Sequence, residues 1–213
     1  MNYNVGELID LLKRYQREYD RNPSEYYYKL RDEIKPVTDI NKTARFISLN
    51  KTCFNGLYRV NRNGIFNVPM GRYKNPLICD NNNNLENVSK ALRHSKASIA
   101  VNDYKNALLQ AEKGDFIYLD PPYHPISSTA NFTSYSDKGF GDYDQLELSK
   151  TFAKLDDIGC KVLLSNSDTP FIRKLYSGFS NYIKEVNVSR LISCKASRRV
   201  GYKELLISNY PSC

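Results

Sequence analysis

The feature that most constrains this chain is a short apolar run that ends abruptly in a rigid polar turn. Phe116–Leu119 has the composition of a buried β-strand, and Asp120-Pro121-Pro122-Tyr123, hereafter the DPPY loop, follows it at once. In open α/β sheets, ligands bind outside the carboxyl ends of the strands. The sequence therefore predicts a functional site at residues 120–123.

The second half of the chain alternates short apolar runs with helical patterns, as in folds built from β-α units. Continuous apolar strands of this kind favour a largely parallel sheet. We expect strands at 99–101, 116–119, 161–164, 182–188 and 204–208, and helices at 105–112 (ended by Gly114), 143–157 (ended by Gly159) and 169–176.

The first half has a helical pattern with one turn-rich interruption at residues 53–77. Asn-Gly and Pro signals recur there every few residues, which predicts a hairpin and loops at the surface rather than a core element. We therefore divide the chain into a mainly helical subdomain, 1–97, and an α/β subdomain, 98–213. The expected helices of the first lie at 5–19, at 24–33 with Ser24 as N-cap, at about 40–51 after Thr38-Asp39, and at 85–93.

The DPPY loop has the groups that methylation of an exocyclic amine requires. Two consecutive prolines stiffen the backbone and remove two N–H donors. A carboxylate and a backbone carbonyl that accept both N–H bonds of adenine N6 would localise its lone pair and direct it at a methyl group. The base must first leave the duplex, and Tyr123 can stack on it. The alternative is that Asp-Pro-Pro is ordinary turn chemistry.

The composition sets the cellular context. Lys and Arg exceed Asp and Glu by eight, which suits a nucleic-acid partner, although many basic proteins bind none. The five cysteines are scattered without metal-ligand spacing, and two histidines exclude a His-rich metal site. No signal peptide or membrane-spanning run is recognisable. We expect a reduced, cytoplasmic, nucleoid-associated protein without a metal.

Further motifs accompany the DPPY loop: FNGLYRVN at 54–61, FNVPMGRYK at 66–74, TANFT at 129–133, LSNSDT at 164–169 and ELLISNY at 204–210. With them, the chain resembles the Dam-type DNA adenine-N6 methyltransferases over nearly its whole length. The resemblance implies a Rossmann-like methyltransferase sheet, a DNA-recognition subdomain that carries the hairpin, and a place in DNA adenine methylation or restriction-modification.

The resemblance also implies a methyl donor, a substrate and residue roles. S-adenosylmethionine would be the cofactor and double-stranded DNA the substrate, with GATC as the first expectation for the target. Asp120, Pro121, Pro122 and Tyr123 would hold the flipped adenine. Asp120 would also lie near the cofactor, and Asp103 and Tyr104 would contact its adenosine part. The residues that match the DNA-reading segment are Asn55, Leu57, Arg59, Asn61, Pro69, Arg72 and Tyr73, followed by Lys74.

The side chains of this segment suit those roles. Arg59 is suited to a bidentate grip on guanine, and Asn61 to adenine or a phosphate. Arg72, Tyr73 and Lys74 suit phosphates. Outside these motifs, Arg59 and Arg72 would be interpreted as solvated loop charges.

The chain departs from the family at its amino end. The family's glycine-rich loop, and the acidic residue that binds the cofactor's ribose, have no counterpart among the ten glycines and their surroundings. About two β-α units are missing, so we expect an incomplete sheet. The chain would be a fragment, half of a split enzyme whose separate polypeptide supplies the glycine loop, or a sequence with a wrong start.

Two other functions stay open. One is a non-catalytic remnant that binds DNA but has lost its cofactor. The other is methylation of a different planar amine, such as a glutamine side chain or an RNA adenine. Asp120 and the hairpin resemblance both argue against the latter.

Overall fold

The amphipathic pattern at the amino end forms helix α1, Val5–Arg21, which buries Leu12, Tyr15 and Tyr19. In the computed structural model the described residues are 4–79, 83–126, 140–188 and 202–211. They fall into two units, Met1–Ile99 and Ala100–Cys213. The first contains α1, α2 (Pro23–Tyr28), a π-helical turn (Lys29–Glu33), α3 (Asp39–Thr52) and α4 (Asn84–His94).

The predicted helices of the first unit are confirmed, with one correction at a helix start. Thr38 caps α3 by accepting a hydrogen bond from the Asn41 amide at 3.3 Å. Ser24, however, is not the N-cap of α2. Asn22 takes that role and accepts from the Glu25 amide at 3.5 Å, because Pro23, which needs no hydrogen-bond partner for its nitrogen, occupies the first helical position.

The turn-rich segment 53–77 folds back on itself but does not form a regular hairpin. Its antiparallel bridges, Cys53 with Met70 and Val60 with Phe66, are isolated. The prediction that it lies outside the core is wrong, since Phe66 and Val68 are buried with the helices. The Tyr27 hydroxyl donates to the Val68 carbonyl at 2.8 Å, so a buried hydrogen bond attaches the segment to the helical core.

The second unit is built on a mixed four-stranded sheet in the order β1-β2-β4-β3. Its strands are β1 (Phe116–Leu119), β2 (Lys161–Ser167), β3 (Ile183–Val188) and β4 (Tyr202–Ser208). Only β1 and β2 pair in parallel, whereas β4 runs antiparallel to both β2 and β3. The expectation of a largely parallel sheet is therefore wrong for the described strands, because β4 enters between β2 and β3 from the opposite direction.

Helix α6 (Asp142–Ile158) covers the sheet with Leu148, Phe152 and Leu155, and it ends at Gly159, as predicted. Gly159 adopts φ 91°, the left-handed conformation that favours glycine at a helix end. Helix α7 (Pro170–Leu175) begins after Thr169, whose side chain accepts from the Ile172 amide. The predicted helices at 143–157 and 169–176 are thus confirmed.

Three predictions in the second unit are wrong. Residues 99–101 form no strand, because Ile99 and Val101 are exposed and pair with no described strand. The helix at 105–112 shrinks to α5 (Tyr104–Ala107), since Leu109 is 76% exposed and finds no core. Gly114 does not end that helix but donates to the Gly159 carbonyl at 3.0 Å.

The strand before the DPPY loop is less buried than its composition indicates. Phe116 is 61% exposed and Tyr118 53%, whereas Leu119 is buried. Within the described parts of the chain, β1 is an edge strand that pairs with β2 alone. Across the same ranges, no helix has both the length and the apolarity to cross a membrane.

Candidate functional site

The carboxyl ends of the parallel strands β1 and β2 bring Asp120 beside Ser165. The register pairs Leu119 with Leu164, so the next residue of each strand meets at the same sheet edge. The Ser165 hydroxyl donates to Asp120 Oδ1 at 2.8 Å and lies 3.0 Å from the Tyr118 hydroxyl, which donates to it. Asp120 is exposed, whereas Ser165 is buried. A buried donor thus orients one oxygen of a carboxylate that faces solvent.

Tyr123 closes the DPPY loop with a half-buried ring. Its hydroxyl donates to Oε2 of Glu204, on β4, at 3.4 Å. Burial is the main cause that raises the pKa of Tyr123 above its ordinary value. The hydroxyl therefore stays protonated at neutral pH and serves as a hydrogen-bond donor.

Two buried amide side chains hold the backbone of the loop. Gln145 Nε2 donates to the Pro122 carbonyl at 2.8 Å, and Gln145 Oε1 accepts from Asn166 Nδ2 at 3.0 Å. Asn166 Oδ1 in turn accepts from the His124 amide at 3.0 Å. The loop is therefore attached to both α6 and β2.

His124 completes the attachment through its ring and its carbonyl. The Ser167 hydroxyl donates to the His124 carbonyl. The ring lies with Nδ1 3.1 Å from Thr169 Oγ1 and Nε2 3.3 Å from Asp142 Oδ1, and its centroid is 4.9 Å from that of Phe171. The chain direction after Tyr123 is thus determined by β2 and by the ends of α6 and α7.

The two further residues predicted at a cofactor site, Asp103 and Tyr104, begin α5. Asp103 Oδ1 accepts from the Lys105 amide at 2.8 Å, and its side chain is exposed. Tyr104 packs half-buried against the core of the sheet unit, and burial raises its pKa. Asp103 and Tyr104 carry a carboxylate and an aromatic ring, but no hydrogen bond in the described residues joins either of them to the DPPY loop. No group of three or more possible metal ligands occurs in residues 4–79, 83–126, 140–188 and 202–211.

In the first unit, Arg59 is held by a neighbouring asparagine. Its Nε donates to Asn67 Oδ1 at 2.8 Å and its Nη2 to the Asn67 carbonyl at 3.2 Å. Asn61 Oδ1 accepts from the amides of Asn63 and Ile65 and so stabilises the turn around Gly64. Both side chains are exposed. Arg59 therefore presents the remainder of its guanidinium group, and Asn61 its amide nitrogen, at the surface.

The other predicted DNA contacts surround the same turn-rich segment. Asn55 adopts φ 54° in the 3-10 turn Phe54–Gly56, and Leu57 is half-buried. The Pro69 carbonyl accepts from the Phe54 amide at 2.9 Å, and the buried Gly71 donates to Thr52 at 2.8 Å. These contacts place three exposed side chains directly after Gly71: Arg72, Tyr73 and Lys74.

Sequence reasoning missed the residues that support the DPPY loop. Ser165, Gln145 and Asn166 are all buried, and none of them was assigned a role. Ser165 and Asn166 belong to the LSNSDT motif, whose polar residues 165–169 follow an apolar strand, but that motif alone does not indicate what they contact. Gln145 gave no signal, since a single amide in a helix is usually exposed. The TANFT motif at 129–133 lies outside the described residues.

Comparison with known proteins gives consistent matches. The family model described as D12 class N6 adenine-specific DNA methyltransferase matches residues 1–190. Type II methyltransferase M.MjaIII of Methanocaldococcus jannaschii is 45% identical over 217 residues, which cover 97% of this chain and 73% of that protein. Type II methyltransferase M1.LlaDCHI of Lactococcus lactis subsp. cremoris is 40% identical over 99% of this chain and 74% of its own. A DNA adenine methylase of Salmonella typhi is 35% identical over 98% of this chain and 75% of its own length.

Proposed function

Because the chain belongs to the D12 class N6 adenine-specific DNA methyltransferases, we propose that it transfers a methyl group from S-adenosylmethionine to adenine N6 in duplex DNA. The target adenine would be flipped out of the helix into the DPPY loop, and GATC is the first candidate for the target site. The mixed α/β sheet is compatible with a methyltransferase fold.

The observation that carries this proposal is the orientation of Asp120 by Ser165. With Oδ1 engaged at 2.8 Å, Oδ2 is directed away from the buried hydroxyl and can accept an N–H of the adenine amine. A fixed acceptor requires no reorganisation when positive charge develops on N6. Tyr123 supplies a half-buried ring on which the base can stack.

We assign DNA reading to the first unit. The segment 53–77 carries Arg59 and the exposed Arg72, Tyr73 and Lys74. Since Asn67 engages Nε and Nη2 of Arg59, the guanidinium plane is held in one orientation before DNA arrives. An arginine so held can donate to guanine, while cations after Gly71 can contact phosphates. On this proposal, residues 1–97 recognise the target and residues 98–213 catalyse the transfer.

The cofactor supplies an electrophilic methyl group on a sulfonium centre. Asp120 and the exposed Asp103 carry the negative charges that would favour this cation, and Tyr104 would contact the adenosine part. The residues of the chain bind and orient both molecules. No covalent bond to the protein is required.

The decisive experiment measures transfer of a labelled methyl group to matched duplexes. One duplex contains GATC. In the other, G·C pairs replace the A·T pairs of the target, so neither strand carries the target adenine. We expect label only in the first, and loss of the label with Asp120→Ala while DNA affinity is retained. Label that survives Asp120→Ala would contradict the assignment of this site.

A further inference from the structure

We propose that Gln145 is a positioning residue that determines which backbone carbonyl of the DPPY loop can accept a hydrogen bond from the substrate amine. The inference rests on the proposed function and deepens it. It concerns a side chain of α6 that lies outside the DPPY loop and outside every motif recognised in the sequence.

Gln145 is fully buried and uses both ends of its amide. Nε2 donates to the Pro122 carbonyl at 2.8 Å, while Oε1 accepts from Asn166 Nδ2 at 3.0 Å. Asn166 is also fully buried, and its Oδ1 accepts from the backbone amides of His124 and Ser167. The result is a continuous chain of hydrogen bonds from the Pro122 carbonyl to the His124 amide, hereafter the amide clamp.

The amide clamp occupies one of the backbone carbonyls that could otherwise accept a hydrogen bond from the substrate amine. Two prolines in succession supply two carbonyl acceptors and no N–H group. The Pro122 carbonyl already accepts from Gln145, so its direction is toward α6. Among the described residues, the Pro121 carbonyl has no hydrogen-bond partner, and it adjoins Asp120. Asp120 Oδ2 and the Pro121 carbonyl are thus the pair left to accept the two N–H bonds of the amine.

Packing alone does not explain an amide at this position. Leu148 and Phe152, further along the same helix, are buried apolar residues, so burial on this helix face does not by itself call for an amide. A buried amide costs free energy unless its polar atoms are paired. Here both ends are paired, and one partner belongs to the loop that would bind the substrate. The arrangement fixes a backbone conformation, which a hydrophobic side chain cannot do.

The test compares Gln145→Leu and Gln145→Glu with wild-type enzyme in single-turnover methyl transfer at saturating DNA. Gln145→Leu removes both hydrogen bonds, and we expect a rate about a hundredfold lower, the size of effect that a small misplacement of reacting groups produces. Leu155→Ala is the matched control, since Leu155 is buried in the same helix, nearer its carboxyl end, and has no polar group that could bond to the loop. It should lower the unfolding temperature with little effect on the rate.

Gln145→Glu provides a readout that a purely structural role would not give. Burial raises the pKa of a carboxyl group, so at acidic pH the new side chain is protonated. It can then donate to the Pro122 carbonyl and accept from Asn166, as glutamine does. We expect the rate of Gln145→Glu, relative to wild type, to rise as the pH falls. The corresponding ratio for Gln145→Leu should not change with pH.

Two results would overturn the proposal. The first is a wild-type rate in Gln145→Leu. The second is a Gln145→Glu rate that stays as low as that of Gln145→Leu at every pH. If the wild-type chain transfers no methyl group, the proposed function fails. In that case the hydrogen-exchange rate of the His124 amide still tests whether the amide clamp holds the loop. That amide should exchange at least tenfold faster in Gln145→Leu, and equal exchange in both proteins refutes the clamp.

Discussion

The hydroxyl of Ser165 stands 2.8 Å from Oδ1 of Asp120, across the parallel pair β1 and β2. Ser165 is buried and also accepts a hydrogen bond from the Tyr118 hydroxyl, so its own hydrogen is directed at the carboxylate. The acceptor proposed for the substrate amine is therefore oriented by the neighbouring strand. A carboxylate on a free loop end would lose this orientation.

Removal of this donor should slow methyl transfer without weakening DNA binding. We expect Ser165→Ala to lower the single-turnover rate about tenfold, which corresponds to ~1.4 kcal/mol of transition-state stabilisation. The Asp120 carboxylate stays exposed and hydrated, so folding should change little. Ser149→Ala is a suitable control, because its hydroxyl is exposed and donates only within α6. An unchanged rate in Ser165→Ala would show that Asp120 does not need this donor.

Arg59 and Lys74 should affect DNA binding in different ways. Arg59→Ala should weaken binding to the target by about 1–3 kcal/mol and relax the preference for one base pair. Lys74→Ala should weaken binding equally for all sequences and reduce the slope of log affinity against log salt by about one. Titrations of target and scrambled duplexes at several salt concentrations separate the two. A uniform loss for Arg59→Ala would assign that residue to the phosphates instead.

Gly71 should tolerate no side chain. A Cβ atom there would lie 2.8 Å from the carbonyl oxygen of Cys53 and would overlap the ring of Tyr73. The ring can move, but the backbone carbonyl cannot, so we expect Gly71→Ala to cost about 1–3 kcal/mol of stability and to weaken DNA binding. Thermal unfolding measures the first effect. Gly178→Ala is the control, because a Cβ at Gly178 meets no heavy atom within 4 Å.

The charged cluster that joins α7 to β3 and β4 should make stability depend on acid pH. Arg173 Nε lies 2.6 Å from Asp168 Oδ1, and the Arg173 guanidinium holds the pKa of Asp168 below its ordinary value. Lys203 and then Arg173 lower the pKa of Glu185 in the same way. Carboxyl groups with lowered pKa values stabilise the fold above their unfolded pKa, and this contribution is lost as the pH falls through the folded value.

We therefore expect Arg173→Leu to lower the unfolding temperature by a few degrees at neutral pH. The difference from wild type should diminish below about pH 4 and vanish once both carboxyls are protonated. Denaturation curves at a series of pH values test this. Lys150→Leu is the control, since its partner Glu147 lies one helical turn away on the same helix. A difference for Arg173→Leu that persists in strong acid would point to packing rather than charge.

The sequence correctly predicted elements whose ends depend on interactions between residues close together in the chain. The ends of α3 and α6 follow from Thr38 and Gly159, which act within one helical turn. Failures occur where tertiary context decides. Ile99 and Val101 have the composition of a strand but no neighbouring strand among the described residues. The direction of β4 depends on a pairing that periodicity cannot report.

The same distinction applies to the candidate site. The position of Asp120 at the end of a strand could be predicted, because a strand and the turn after it are encoded in adjacent residues. The parallel partner that brings Ser165 beside it is 45 residues away, and Gln145 reaches Pro122 across 23. Arg59 was predicted as a DNA contact, but its attachment to Asn67 depends on how the segment folds back. Such long-range relations require coordinates.

The edge position of β1 also has a consequence for local unfolding. The antiparallel set β2, β4 and β3 contains the buried residues Leu164, Leu205 and Ile207, and it would unfold only with the whole unit. By contrast, β1 is four residues long and half-exposed. Segments with few buried apolar contacts open at lower free energy than the core. Strand β1 should therefore open before the antiparallel set, whereas the amide clamp ties the DPPY loop to Asn166, which lies in the part that opens last. The loop should thus keep its conformation even when the first residues of β1 separate from β2.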